Sequence, residues 1–148
     1  MPDQQIGNDA SVAAERRAVM NVARTVMSNL EDQHDWTEVE IHDGPDFPRP
    51  LVRGLPPKRL YLHPDDQIEA LAHEHKTGEK LFHDPEFEWV LPVHLTEKWS
   101  IARFAAVFDS IPQEPNRRAK RFVLASLHND STVVYYLMHE GMVKPRQN

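Results

Sequence analysis

The sequence predicts an α/β protein with a mixed β-sheet and flanking helices. Two long segments carry apolar residues at the three-to-four-residue spacing of amphipathic helices. Other segments alternate apolar and polar residues or form short apolar runs, as strands do. Because these two kinds of segment interleave along the chain, we expect the helices to pack on one sheet.

The first helix is predicted from apolar residues that recur at helical spacing over residues 12–30. Asp9 or Ser11 is a suitable N-cap for it, and we expect residues 1–10 to form a disordered tail. Residues 36–41 then alternate, with Val39 and Ile41 on one face, which predicts a half-buried strand.

Prolines divide the next part of the chain, and between Gly44 and Pro57 they stand at Pro45, Pro48, Pro50, Pro56 and Pro57. Short strands are predicted at 51–53 and 59–62. Pro64 then suits the start of a helix that Gly78 ends. Its inner face is predicted to carry four residues at helical spacing, namely Ile68, Leu71, Ala72 and His75.

Residues 88–93 form an apolar segment that predicts a strand, and Pro92 indicates an edge strand or a strand end. Thr96 or Ser100 is expected to cap the second long helix. The continuous apolar run 122–127 predicts a central strand.

The residues that follow predict a hairpin. Residues 128–131 have turn chemistry, and 132–138 are rich in β-branched and aromatic residues. After a turn at Glu140 and Gly141, we expect a final short edge strand over residues 142–144.

Composition limits the classes of function. A chain of 148 residues is expected to form one domain, over residues 11–148. The absence of cysteine excludes disulfides and thiolate sites, and a net charge of −6 disfavours a stand-alone nucleic-acid binder. No apolar run is long enough to span a bilayer, and the polar, acidic start is unlike a leader sequence. We therefore expect an intracellular protein without membrane insertion.

Nine histidines raise the question of a metal site. His73 and His75 are two residues apart on a predicted helix, so they point in different directions. Without cysteines or a known ligand spacing, we expect surface histidines, no metal and no cofactor.

A basic cluster precedes the central strand, at Arg117, Arg118, Lys120 and Arg121. Such a cluster is typical of a solvated loop, and it can also contact phosphate groups. Because the chain is acidic, we expect RNA contact there to be weak.

A metal-free ribonuclease needs a base, an acid and a cation. Tyr61, His83 and Lys120 supply those types, which defines an alternative function as a divergent RNA endonuclease. Any chain of this size with several tyrosines and histidines offers such a trio, so the evidence for it is weak.

The C-terminal segment 122–145 resembles the strand–loop–strand of the tRNA-splicing endonuclease family. The residues that carry the resemblance are the stretch Asp130 to Tyr136, then Gly141 and Pro145. The segments beginning at Trp36 and Leu91 are similar more loosely. Within the family the chain is most similar to a small non-catalytic subunit, which implies a nuclease-like C-terminal domain.

The resemblance also implies a role. Catalytic members carry a Tyr, His and Lys triad, and here Lys120 or Arg121 falls near the Lys position without a matching Tyr-to-His loop. The implied function is a structural, non-catalytic subunit of a nuclear, heterotetrameric tRNA-splicing endonuclease. Its implied partner is the catalytic subunit that cuts at the 3′ splice site, and it meets precursor tRNA indirectly.

In this family the loop between the last two long strands docks on a neighbouring subunit, and the last strand pairs with a partner's last strand. The resemblance therefore implies a docking loop at His128, Asn129, Asp130 and Ser131. The implied subunit interface comprises Tyr135, Tyr136, Met142, Val143 and Lys144. Because an uncovered sheet edge attracts another strand, we expect a homodimer when the chain is isolated.

Overall fold

The computed structural model describes residues 2–115 and 117–143, and it confirms the α/β class. Four helices and five strands occur in these ranges: α1 Pro2–His34, β1 Thr37–His42, β2 Leu51–Leu55, α2 Pro64–Thr77, β3 Glu88–His94, α3 Ile101–Ser110, β4 Arg121–Leu127, β5 Val133–His139 and α4 Glu140–Val143.

The five strands form one mixed sheet in the order β1-β2-β3-β4-β5. Neighbouring strands are antiparallel except β3 and β4, which are parallel and are joined through α3. β4 and β5 form the predicted hairpin, in which Leu124 lies opposite Tyr136. The last strand, β5, is an edge strand among the described residues.

Two apolar clusters hold the layers together, one on each face of the sheet. On one face, Val26 and Leu30 of α1 pack with Val90 of β3 and Val123 of β4. On the other face, Phe108 of α3 contacts Phe122 of β4, with ring centroids 4.4 Å apart. Helices therefore cover both faces, as the interleaved sequence pattern predicted.

The N-terminal helix begins earlier than predicted. α1 starts at Pro2, so residues 2–10 are helical where the sequence indicated a disordered tail and an N-cap at Asp9 or Ser11. Proline is well tolerated at the first position of a helix, and no proline follows it until Pro45. The polar residues after it can therefore extend the helix.

The predicted strand at 59–62 is wrong. Prolines stand on both sides of this segment, at Pro57 and Pro64, and restrict the backbone that leads into and out of it. The side chains are used elsewhere instead: Arg59 Nε donates to the Asp84 carbonyl at 2.9 Å, and the Tyr61 ring packs on His139.

Pro92 does not mark an edge, because β3 is the middle strand of the sheet. Its pairing with β2 ends at Val90, and Pro92 lies beyond that point, opposite Ala125 of β4. Pro92 is thus paired on one side only, which a residue without an N–H tolerates.

Two further predictions are wrong. α2 has the predicted bounds, with Gly78 in a left-handed C-cap at φ 75°, but no residue of it is buried, so its predicted inner face is not covered. The final edge strand is instead a helical turn, α4, in which Val143 joins the core cluster beneath α3. Lys144 lies outside the described residues.

Candidate subunit-docking surfaces

The β5 edge is the first candidate surface. β5 pairs with β4 along its whole length, and no second strand pairs with its other side in the described part of the chain. Its residues are half-buried apart from the exposed Tyr136. The unpaired backbone groups of such an edge are suited to accept a strand from another chain.

The two tyrosines of β5 point to opposite faces of the sheet, as strand alternation requires. The Tyr135 hydroxyl donates a 2.5 Å hydrogen bond to Asn29 Oδ1 of α1, and its ring packs edge-on against His34. Burial raises the pKa of Tyr135 to about 12. Tyr136 is 52% exposed. Tyr135 therefore belongs to the internal packing, and Tyr136 is the tyrosine available to a partner.

The residues after β5 likewise include one exposed and one buried apolar side chain. Met142 is 62% exposed, and its Sδ accepts a hydrogen bond from the His139 N–H. Val143 is 9% exposed and lies in the core under α3. Among the predicted interface residues that the structure describes, Tyr136 and Met142 are thus exposed, whereas Val143 is buried in the domain itself.

The loop between β4 and β5 is the second candidate surface. Asp130 lies at its exposed tip, and its Oδ1 accepts hydrogen bonds from the Thr132 hydroxyl at 2.6 Å and the Thr132 N–H at 3.2 Å. These bonds lower the pKa of Asp130, so its carboxylate is charged at neutral pH. The His128 N–H donates to the Thr132 carbonyl at 2.8 Å, and Ser131 adopts a φ of 70°. The loop presents one fixed negative charge.

The basic cluster is not a free cationic surface. Arg121 pairs with Glu88 at 2.5 Å and with Glu86 at 2.8 Å, and Arg117 contacts the same two carboxylates. The side chains of Arg117 and Arg121 are only 7% and 6% exposed. The sequence signal for these partners is a pair of glutamates two residues apart, with Glu86 just before β3 and Glu88 at its start.

The other two members of the cluster are also engaged. Arg118, which is half-exposed, pairs with Asp65 at 2.9 Å and Asp66 at 3.6 Å. Lys120 Nζ donates to the Phe108 carbonyl at 3.0 Å. An RNA phosphate at this cluster would have to compete with carboxylates, and the predicted RNA contact stays a prediction.

Of the alternative catalytic trio, only Tyr61 lines the pocket that Arg117 and Arg121 border. Tyr61 lines a small polar pocket beside His139, where the two ring centroids are 4.7 Å apart. His83 and Lys120 do not line that pocket. Four arginines do, and acidic partners neutralise them, so the pocket has no unpaired cation of the kind that a phosphorane would need.

No group of three or more potential metal ligands comes together within residues 2–115 and 117–143. In the same ranges, none of the helices has the length and apolar character needed to cross a membrane.

The fold and these surfaces define a small α/β domain with an open sheet edge and an acidic loop beside it. The family model described as Sen15 protein matches residues 25–148. The chain therefore belongs to the Sen15 family, which confirms the resemblance found in the C-terminal segment.

Three curated relatives are similar over most of this chain. The chain is 49% identical over 146 residues to a probable tRNA-splicing endonuclease subunit, tsp-1, of Neurospora crassa, covering 86% of this chain and 66% of that protein. It is 30% identical over 123 residues to the tRNA-splicing endonuclease subunit SEN15 of Eremothecium gossypii, covering 83% and 87%. It is 28% identical over 154 residues to the probable subunit sen15 of Schizosaccharomyces pombe, covering 95% and 92%. The chain thus spans slightly less than two thirds of the Neurospora protein.

Proposed function

We propose that this protein is a non-catalytic structural subunit of a tRNA-splicing endonuclease and acts in the splicing of precursor tRNA. The observation that carries the proposal is the Sen15 family match over residues 25–148, together with relatives named as subunits of that enzyme. In this proposal the chain works in the nucleus within a heterotetramer. It pairs with the catalytic subunit that cuts at the 3′ splice site, and it meets precursor tRNA mainly through its partners.

Two features of the structure support a structural role. The β5 edge with Tyr136 and Met142 offers backbone groups and apolar side chains to a partner strand. Tyr61, His83 and Lys120 do not converge on one pocket, and the nearest arginines are held by carboxylates. The same edge supports a homodimer when the partner is absent.

The test is a cleavage assay on an intron-containing precursor tRNA. The purified chain alone should produce no cleavage. The chain co-expressed with the other endonuclease subunits of its organism should co-purify with them, and the complex should cut at both splice sites. Tyr61→Phe and His83→Ala should leave that activity unchanged, which makes them matched controls for the catalytic alternative.

Two outcomes would contradict the proposal. Cleavage by the isolated chain that disappears in Tyr61→Phe or His83→Ala would establish the divergent endonuclease instead. Tight tRNA binding by the isolated chain at Arg117 and Arg118, with an affinity that falls steeply with salt, would indicate an RNA-binding module.

A further inference from the structure

The small polar pocket beside His139 is lined by arginines and lies next to the helix α2. Four of its lining side chains carry a guanidinium group: Arg59, Arg117, Arg118 and Arg121. The pocket holds about 90 Å³ of space, enough for a few waters or for a small polyatomic anion. Arg117 and Arg121 are nearly buried, whereas Arg118 is half-exposed. The pocket therefore opens to solvent on the side of Arg118.

The net charge of this pocket depends on α2. Three of the arginines pair with two carboxylates that do not belong to α2, Glu86 and Glu88. The fourth, Arg118, pairs with two carboxylates in the first turn of α2, Asp65 at 2.9 Å and Asp66 at 3.6 Å. With α2 in place, four arginines are thus balanced by four carboxylates. Without α2, the four arginines would face two carboxylates, and the pocket would carry two excess positive charges.

The attachment of α2 to the rest of the domain is electrostatic. None of its residues is buried, and none belongs to either apolar cluster of the sheet. The carboxylates that bind Arg118 are themselves accessible, because the Asp65 side chain is 64% exposed and the Asp66 side chain is 39% exposed. Ion pairs between exposed side chains contribute little to stability, and salt weakens them further. The helix can therefore leave the pocket while both apolar clusters stay intact.

We propose that α2 is an acidic lid on a phosphate-binding pocket: Asp65 and Asp66 neutralise the arginines while the helix is docked, and a phosphate group takes their place when it moves away. A guanidinium presents paired N–H donors that fit phosphate oxygens, and Tyr61 and His139 add further polar groups to the same pocket. A phosphate close to a dianion carries nearly the same charge as the two aspartates that it displaces. The inference does not depend on the proposed function, and RNA binding stays weak while α2 is docked.

His139 reports on the occupation of the pocket. Its imidazole lines the pocket beside Tyr61, and burial together with the charge of Arg121 lowers the pKa of His139. An anion in the pocket would oppose the effect of Arg121, because it favours the protonated imidazole. Bound phosphate should therefore raise the pKa of His139, whereas phosphate bound elsewhere on the surface should leave it unchanged.

The test is a titration of the full chain with inorganic phosphate at an ionic strength held constant with sodium chloride. The NMR titration of His139 measures binding, and hydrogen exchange of the α2 amides measures docking, because an undocked helix of this length is marginal in water. The double variant Asp65→Asn with Asp66→Asn should bind phosphate at least fivefold more tightly than the unmodified chain, and its α2 amides should exchange at least fivefold faster. Phosphate should also accelerate exchange of these amides in the unmodified chain, whereas chloride should not.

Two control variants separate the lid from a general change of charge. Glu69→Gln with Glu74→Gln removes two carboxylates from the same helix, neither of which lines the pocket, and should change phosphate affinity less than twofold. Arg118→Gln breaks the attachment of α2 but also removes one cation of the pocket. Its α2 amides should therefore exchange quickly, without tighter phosphate binding. Thermal denaturation checks the fold of every variant, which we expect to be intact because none of the substituted residues is buried.

Equal phosphate affinity of the unmodified chain and the aspartate double variant, or α2 exchange that phosphate does not change, would overturn the inference and leave the proposed function standing. A short single-stranded RNA distinguishes the sources of the phosphate. If the double variant binds this RNA at least tenfold more tightly than inorganic phosphate, with the same shift of His139, the pocket takes backbone phosphates. Binding of inorganic phosphate without RNA binding assigns it to free phosphate. Tighter binding of a poly-aspartate peptide than of either probe would show a carboxylate site for a protein partner and would overturn the inference.

Discussion

Arg121 and Glu88 form a buried ion pair in which Arg121 Nη2 lies 2.5 Å from Glu88 Oε1, with side chains only 6% and 1% exposed. Arg121 begins β4 and Glu88 begins β3, so the pair joins two adjacent strands at one end of the sheet. Burial raises the pKa of Glu88, because desolvation outweighs the hydrogen bond from Arg121 and the charges of Arg117 and Arg121. Burial thus imposes a desolvation cost on both groups: for Glu88 it outweighs the pairing, whereas for Arg121 the hydrogen bonds and charges of Glu88 and Glu86 outweigh it and raise the pKa of Arg121.

The first prediction follows from this cost. Glu88→Gln leaves Arg121 buried with one carboxylate fewer, and it should lower the free energy of unfolding by about 3–5 kcal/mol in urea denaturation. The double variant Glu88→Leu with Arg121→Met removes both charges and should lose much less. A double variant as unstable as Glu88→Gln would show that the pair itself stabilises the fold.

The second prediction concerns Glu97, which pairs with Arg49 at 2.5 Å. Burial alone would raise its pKa, but hydrogen bonds from Arg49 and the His94 N–H, with the charge of Arg49, bring it below the usual 4.5. A lowered carboxyl pKa contributes stability that is present above about pH 4.5 and is lost as pH falls through the folded-state pKa. Glu97→Gln should therefore be less stable than the unmodified chain at pH 7, and the difference should shrink below pH 4.5. A difference independent of pH between 7 and 3 would contradict this.

The third prediction concerns Tyr135. Tyr135→Phe removes the hydrogen bond to Asn29 and should cost ~1 kcal/mol at neutral pH. Its folded pKa of about 12 exceeds the ordinary 10, so the stability contributed by the neutral phenol is present below pH 10 and is lost between pH 10 and 12. The unmodified chain should lose more stability than Tyr135→Phe over that range. Denaturation at several pH values checks this, with Tyr136→Phe as the control.

Strands whose own residue types favour β-structure could be predicted from the sequence. The apolar run of β4 and the β-branched residues of β5 specify strands without reference to the rest of the chain. Alternation likewise assigned Tyr135 and Tyr136 to opposite faces, although it could not say which face α1 covers. The bond between Tyr135 and Asn29 joins residues 106 positions apart, and nothing near either residue indicates it.

The features that could not be predicted depend on contacts between residues that lie far apart in the chain. The spacing of the apolar residues in α2 correctly predicts a helix, but it cannot say whether the domain covers the apolar face of that helix. Arg117 and Arg121 looked solvated because their partners, Glu86 and Glu88, lie about thirty positions away in the chain. The sequence predicts Val143 in a final edge strand, but a helical turn, α4, places its side chain in the core instead.

The fourth prediction separates anchors from core at the β5 edge. Tyr136→Ser combined with Met142→Ser should weaken pairing by at least ~30-fold, since a single anchor residue at such an interface contributes ~2 kcal/mol or more. The thermal midpoint of the isolated chain, measured at a concentration at which it is monomeric, should change little. Val143→Ser should instead lower that midpoint, because Val143 is buried. Sedimentation of the isolated chain and co-purification with the catalytic subunit measure pairing, and Val12→Ser, at an exposed valine, is the control.

The last prediction concerns the acidic loop. Asp130→Lys reverses the charge at its exposed tip and should weaken, by about fivefold, a contact with a basic groove on a second subunit. The effect should diminish at high salt, because the contact is between exposed charges. Asp130→Asn keeps an acceptor for the two Thr132 hydrogen bonds, so it separates loss of charge from loss of loop geometry. If Asp130→Lys and the Tyr136–Met142 double variant both assembled normally, neither the loop nor the edge would hold a partner, and the structural role proposed for these surfaces would be wrong.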